Sequence, residues 1–211
     1  MMLEDWELLD RWRGGEKRAG AELLRRYFGL LSRIFYNKVA TREDAADLVS
    51  DTLLACTASK DRVKDGASFR AYVTAIALNQ LRLYYRKRHK RQREREDFLA
   101  CCVAELDAPA SPYARLARRR EELLLVQALR SIPLEYQLAL ELHLFEGLNG
   151  REIAELLGLP NATVYTRIRR AREQLTRAVE RLSRDQAECA STLTSLAGWA
   201  QQIRLRIPTG P

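Results

Sequence analysis

The chain has 211 residues, with 36 Lys and Arg against 28 Asp and Glu and a formal net charge of +8. That length allows one or two domains of ordinary size, and the charge favours an anionic partner without separating nucleic acid from a membrane surface. No apolar run approaches the roughly 20 residues of a membrane span, so direct membrane insertion is excluded, and the acidic, amphipathic start MMLEDWELLDRW is not a secretory leader.

Apolar residues recur at helical spacing throughout, so the chain reads as all-α: two small helical domains joined by a flexible linker, the second a helix-turn-helix. The first domain spans residues 6–91. Within it Thr41 can cap a helix starting at Arg42, with Asp44 at the third helical position. Ala45, Val49, Thr52, Leu53 and Cys56 share the inner face of that helix. Asp44, Asp47 and Asp51 line the opposite face, flanked by Leu48 and Leu54. Two readings stay open for these acids. One is a solvated face; the other is a surface for a basic partner, because apolar residues beside charges suit an interface.

A longer helix covers residues 68–91. Phe69, Val73, Ile76 and Leu83 mark its buried stripe, while Tyr72, Asn79, Arg82 and Arg86 share an adjacent face. The helix ends in the basic run YYRKRHKRQR. Rings stack on unpaired bases, an amide reads a base edge and cations hold the backbone, so this face suits single-stranded nucleic acid. Half-buried tyrosines beside a solvated cationic helix end are the competing reading. Residues 92–116 contain Pro109 and Pro112 among small and polar residues, which break helical periodicity and mark the linker.

The second domain spans residues 117–182. Ala154, Gly158 and Val164 stand at helix-turn-helix spacing: a small residue for close approach, a Gly for the turn and a branched anchor for the second helix. Asn149 and Glu152 form a capping-box pattern. Val164, Ile168, Ala171, Leu175 and Leu182 make the buried stripe of the second helix. Tyr165, Thr166, Arg167, Arg169 and Arg170 fall largely off it, giving the cationic outer face that phosphate and base contacts require. An ordinary helical hairpin with a solvated Arg face would show the same pattern. Residues 183–211 form an extension of unassigned role, with one short helix expected in LTSLAGWAQQIRLRI.

The cysteines Cys56, Cys101, Cys102 and Cys189 form no CxxC, and His89 and His143 are the only histidines. No metal site, no cofactor and no catalytic residue are therefore expected, and the cysteines read as small apolar filling in a reducing cytoplasm.

Three segments in order, REDAADLVSDTLL, SFRAYVTAIALNQLRLYYRKR and LNGREIAELLGLPNATVYTRIRRAREQL, resemble those of a bacterial RNA polymerase sigma factor of the extracytoplasmic-function class, over roughly residues 18–182. The resemblance implies a region 2-like domain at 6–91 and a region 4-like domain at 117–182, acting by binding and not by catalysis. Asp44, Asp47, Leu48 and Asp51 would dock on the clamp coiled coil of the largest subunit of core RNA polymerase, whose flap is a further expected contact. Lys64 and Ser68, in the loop 60–68, would cradle a flipped base of the opened −10 strand. Tyr72, Asn79, Arg82 and Arg86 would read that strand. Thr163, Tyr165, Thr166, Arg167, Arg169 and Arg170 would contact −35 promoter DNA. An anti-sigma factor is a further implied partner, and the cytoplasm the implied location. Two departures stand out: Tyr72 lies where a Trp is common, and Leu78 where an Arg is usual.

Two other functions compete. A stand-alone repressor or activator would use the helix-turn-helix but leave the acidic helix and the Tyr72/Asn79 face idle, and such regulators usually dimerise on two half-sites. A nuclease would need convergent carboxylates or histidines, and Asp44, Asp47 and Asp51 line one helix face beside leucines.

Overall fold

The computed structural model describes residues 3–39, 41–63, 68–88 and 120–206, and the regular structure in them is helical. In chain order the helices are α1 (Asp5–Arg13), α2 (Lys17–Tyr36), α3 (Arg42–Ser59), a 3-10 turn (Lys60–Arg62), α4 (Phe69–Arg88), α5 (Arg120–Arg130), α6 (Leu134–Phe145), α7 (Gly150–Leu157), α8 (Asn161–Leu182) and α9 (Gln186–Arg206). The expected linker at 92–116 lies outside the described residues, as do Lys64, His89, Cys101 and Cys102.

Local signals place the helix starts. Thr41 Oγ1 accepts from the Asp44 amide at 3.0 Å, and the Asp44 carboxylate accepts from the Thr41 amide at 3.3 Å. Asn149 Oδ1 accepts from the amides of Arg151 and Glu152 at 2.9 and 3.0 Å, and Glu152 returns the bond at 2.7 Å. Each box satisfies donors that the first helical turn leaves orphaned. Between α7 and α8, Gly158 sits at φ 64°, a left-handed conformation that a β-carbon would strain.

Helices α1 to α4 pack around Leu23, Leu31, Phe35, Val49 and Val73. Tyr27 meets the Phe69 ring at 5.3 Å and donates to the Asp5 carboxylate. Burial, then that bond, pushes the Tyr27 pKa well above the usual tyrosine value. A second core gathers Leu125, Leu129, Phe145, Leu175 and Val179 around Trp199, whose ring meets Phe145 edge-on at 5.6 Å and 84°. The short helix expected after residue 183 is instead the 21-residue α9, laid against α5, α6 and α8.

Two apolar residues of the expected buried stripes, Leu83 and Leu182, are exposed. Leu83, placed on the buried stripe of α4, is 47% exposed. The inward face of α4 runs through Phe69, Val73, Ala77, Leu81 and Tyr85. It is turned because α4 is gripped by α2 and α3 and also by α7, and because the Tyr85 hydroxyl donates inward to the Lys38 carbonyl at 2.6 Å. Leu78, where the resembled family has an Arg, belongs to this core. Leu182, placed on the stripe of α8, is 38% exposed, since Ala178 and Val179 are the last residues of that helix to be buried.

The two helical bodies are not apart. Leu134, Leu138, Leu142, Ile153, Leu156 and Val164 from α6, α7 and α8 join the core of α1 to α4. A polar seam runs beside them. Lys38 pairs with Glu141, whose carboxylate also accepts from Gln137 at 2.8 Å and Asn37 at 3.3 Å. Arg33 holds Glu146 through two bonds, one at 2.9 Å. Arg130 donates to the carbonyls of Asn37 and Val39 at 2.9 and 3.4 Å. These partners stand 91 to 113 residues apart in the chain, apart from Gln137.

Trp199 is 2% exposed and anchors α9. Replacing it with Ala should destabilise the chain by about 3–5 kcal/mol, the range for emptying a buried aromatic site. Urea unfolding followed by circular dichroism measures this; a loss below about 1 kcal/mol would show that α9 contributes little to the core.

Candidate nucleic-acid and polymerase interfaces

The acidic face of α3 forms because Ala45, Val49, Thr52 and Cys56 turn inward. Burial pushes the Cys56 thiol up to about 12, so it stays protonated and inert near neutrality. Asp47 and Asp51 project outward and are exposed. Leu54, also on that side, is 67% exposed. Asp44 is only half-exposed, since its carboxylate caps Thr41 and accepts from the Tyr84 hydroxyl at 3.2 Å. Leu48, expected on the outer flank, is corrected to the interior at 6% exposure. It follows Ala45 by three positions and precedes Thr52 by four, so the helix turns it toward α2 and α4. The exposed apolar residue beside the acids is therefore Leu54.

On α4, Asn79, Arg82 and Arg86 are exposed on one face. Asn79 Oδ1 accepts from Arg82 at 2.9 Å. Tyr72 is half-buried at the start of the same face. Its hydroxyl donates to the Ser59 carbonyl at 2.8 Å and lies 2.6 Å from Ser59 Oγ, with its ring 6.1 Å from Phe69. The ring is thus oriented by contacts at both its edge and its hydroxyl. Ser68 Oγ accepts from the Ala71 amide at 3.3 Å at the entry to α4. Ser68 and Arg70 line a cleft with Leu148, Glu152, Glu155 and Leu156 of the helix-turn-helix.

On α8 the structure brings the six expected residues onto the first three turns. Val164 and Ile168 face the core, and Tyr165, Arg169 and Arg170 are exposed. Tyr165 lies over Gly150: a β-carbon there would come within 2.6 Å of the ring. A surface groove is lined by Thr163, Thr166, Arg167, Arg170, Ala162, Glu135 and Tyr136. Arg167 is paired with Glu135 at 2.5 Å and is less exposed than its neighbours. Arg169 pairs with Glu173 at 2.6 Å on the open surface, and such an exposed pair is weak enough to exchange for a phosphate. Arg170 donates to the Tyr136 hydroxyl at 3.3 Å. The sequence pattern missed Glu135 and Tyr136, because they lie on α6 and reach this groove only through the fold.

Among the described residues no helix is long and apolar enough to cross a membrane.

Comparison with known proteins adds the family. The model of Sigma-70 region 2 matches residues 23–91 and that of Sigma-70, region 4 matches residues 122–175. The chain is 27% identical to the ECF RNA polymerase sigma-E factor of Haemophilus influenzae, over 85% of this chain and 97% of that one. It is 26% identical to the RNA polymerase sigma-H factor of Pseudomonas aeruginosa, over 86% and 97%. Among solved structures, CnrH in complex with the cytosolic domain of CnrY is similar at a TM-score of 0.64 and 26% identity, covering 85% of this chain and 99% of that one. RpoE of Bartonella quintana, solved with the anti-sigma factor NepR, shares the fold at a TM-score of 0.52 and 21% identity, covering 72% and 91%.

The Gly150–Tyr165 contact can be tested directly. Gly150→Ala should fold with a stability change within about 1 kcal/mol, because Ala suits a helix at least as well as Gly and the exposed ring can swing aside. The Tyr165 ring resonances should shift in NMR spectra while the Val164 and Ile168 methyls stay in place. Unmoved Tyr165 resonances would contradict the contact.

Proposed function

The chain belongs to the sigma-70 family, in its extracytoplasmic-function class, and from that premise we propose how its residues divide the family's work of binding core RNA polymerase and directing initiation at promoters. The family is not a class of catalysts; this chain acts by binding alone, in the cytoplasm. Residues 6–91 form its polymerase-docking and −10-reading body. Residues 117–182 form its −35-reading body, with the extension at 183–211 adding α9 to that body's core.

Asp47 and Asp51 meet the basic clamp coiled coil, with Leu54 supplying apolar contact beside them. Asp44 contributes at the margin, where its capping bonds hold it, and Leu48 supports the face from beneath. Asn79, Arg82 and Arg86 read the opened −10 strand, with Tyr72 as a stacking edge at the head of the face and Ser68 beside the loop that carries Lys64. An exposed amide residue beside two exposed cations on one helix supports this reading: the cations hold the backbone and the amide distinguishes a base edge.

Tyr165, Thr166, Arg169 and Arg170 enter the −35 major groove from the start of α8, as the second helix of such a motif does. Thr163 lies at their edge. Arg167, tied to Glu135, orients this face more than it contacts DNA. The observation that carries the assignment is this exposed cationic turn, presented by a helix-turn-helix whose left-handed Gly158 sets the angle. CnrH and RpoE were both solved with protein partners; an anti-sigma factor covering these same surfaces is the corresponding partner here.

Two substitutions separate the two halves of the first body. Asp47→Arg should weaken core-polymerase binding by several kcal/mol, since like charge at an interface is costly, with helicity unchanged. Normal core affinity would remove the acidic face from the interface. Asn79→Ala should leave core binding intact and impair strand opening, read by permanganate reactivity of unpaired thymines. A template with a pre-melted −10 bubble should partly rescue it, because extruding and unpairing bases costs a few kcal/mol that the bubble has already removed. Wild-type opening on closed duplex would contradict the single-strand reading.

A further inference from the structure

We propose that Tyr136, on α6 and outside the helix-turn-helix itself, is a DNA-contacting residue: its hydroxyl and the Arg170 guanidinium form a two-donor clamp on one backbone phosphate of the duplex. The inference rests on the assignment of the outer face of α8 to −35 DNA.

The fold places the hydroxyl and holds it there. Tyr136 stands in the first turn of α6, where its amide donates to the Pro133 carbonyl at 3.0 Å. Helix α6 packs along α8, and the Tyr136 side chain is half-buried against the second core. Its hydroxyl meets Arg170 in the surface groove that Thr163 and Thr166 also line. A side chain seated in this way has little rotamer freedom left to lose when it meets a ligand.

The hydrogen bonding leaves donors over. Arg170 Nη1 donates to the Tyr136 hydroxyl at 3.3 Å, so the phenolic oxygen accepts and keeps its own proton to give. A hydroxyl that accepts from a cation is polarised toward donating. Arg170 is exposed, and its guanidinium carries further N–H groups beyond the one spent on Tyr136. Two donors this close together can both reach the oxygens of one phosphate. The surrounding charge fits an anion. Glu135, the carboxylate of the groove, pairs with Arg167 at 2.5 Å, and Glu173 pairs with Arg169 at 2.6 Å. Arg170 bonds a neutral group instead, so its charge stays available.

The position of the clamp selects the backbone over the bases. In a helix-turn-helix the start of the recognition helix carries the side chains that reach base edges, while the helix before it crosses the backbone. Tyr136 comes from an earlier helix, at the flank of the exposed face of α8. Tyrosine hydroxyls and arginines are among the ordinary donors to phosphate oxygens, and such contacts fix orientation without reading sequence. The clamp therefore sets the register of α8 on the duplex and leaves sequence preference to its neighbours on that helix.

Tyr136→Phe tests the clamp, because it removes the hydroxyl and keeps the ring in the core. Variant chains are assembled with core RNA polymerase. Promoter binding is then measured over a range of salt, and on probes that each carry one neutral methylphosphonate in the −35 element. Tyr136→Phe should weaken binding roughly tenfold, the scale of one hydrogen bond to a charged group, and equally on every −35 sequence. Its salt slope should match wild type, since a neutral hydroxyl releases no counterion, whereas Arg170→Ala should flatten the slope by about one. At one phosphate, neutralisation should cost the wild type affinity, cost each single variant less and cost the double variant nothing. Wild-type affinity in Tyr136→Phe would overturn the clamp. A loss with the flattened slope of Arg170→Ala would also overturn it, because Tyr136 would then act only by positioning Arg170. So would a loss with no phosphate at which the cost falls. A wild-type holoenzyme insensitive to every −35 methylphosphonate would overturn the −35 assignment and the clamp with it. A sensitive wild type with the same pattern in Tyr136→Phe would overturn the clamp alone.

Discussion

Glu141 sits with its carboxylate almost wholly removed from water, held by Lys38, Gln137 and Asn37. The rest of the arrangement depends on it. A lone carboxylate at that depth would be untenable, and removing one partner of such a pair typically costs about 3–5 kcal/mol. Lys38 is therefore committed to the second body from the end of α2, and the carbonyls around it are committed as well, to Arg130 and Tyr85. Tyr85 in turn sets the rotation of α4. One carboxylate thus ties the end of α2, the register of α4 and the face of α6 into one arrangement.

That arrangement decides which surfaces are presented. With Tyr85 and Leu81 inward, Asn79, Arg82 and Arg86 are left outward. With Leu48 and Val49 inward, Asp47, Asp51 and Leu54 are left outward. On the other body, the first turns of α8 project Tyr165, Arg169 and Arg170 because Val164 and Ile168 are held in the core shared with α1 to α4. The groups proposed to meet polymerase and DNA are what remains once each helix has buried its stripe. The packing of the two bodies leaves these groups exposed.

Much of this was legible in the sequence where the determinants are local. Asn149 with Glu152 and Thr41 with Asp44 form their capping boxes within three residues. The stripe of α8 follows from Val164 to Leu175 without help from other helices. Legibility fails where a distant element decides. Leu83 and Leu48 fit an amphipathic reading of their own helices, but the packing of α4 against α2, α3 and α7 leaves Leu83 outside, and the core of the first body takes Leu48 in. Leu182 continues the period of α8, yet burial on that helix ends with Val179. The seam was unreadable because its partners are separated by about a hundred residues, and each of Lys38, Arg130 and Glu141 alone resembles an ordinary surface charge. The groove at Arg167 was half-legible for the same reason: Glu135 and Tyr136 come from another helix.

The buried seam through Glu141 joins the two helical bodies of the free chain into one packed arrangement. Fluorescence energy transfer between dyes at the exposed positions Arg25 and Arg172, one on each body, measures it most directly. The account predicts high transfer in the wild-type chain and a clear fall in Glu141→Lys, which sets like charge against the buried Lys38. Transfer that stays at the wild-type value in a folded Glu141→Lys chain would contradict it.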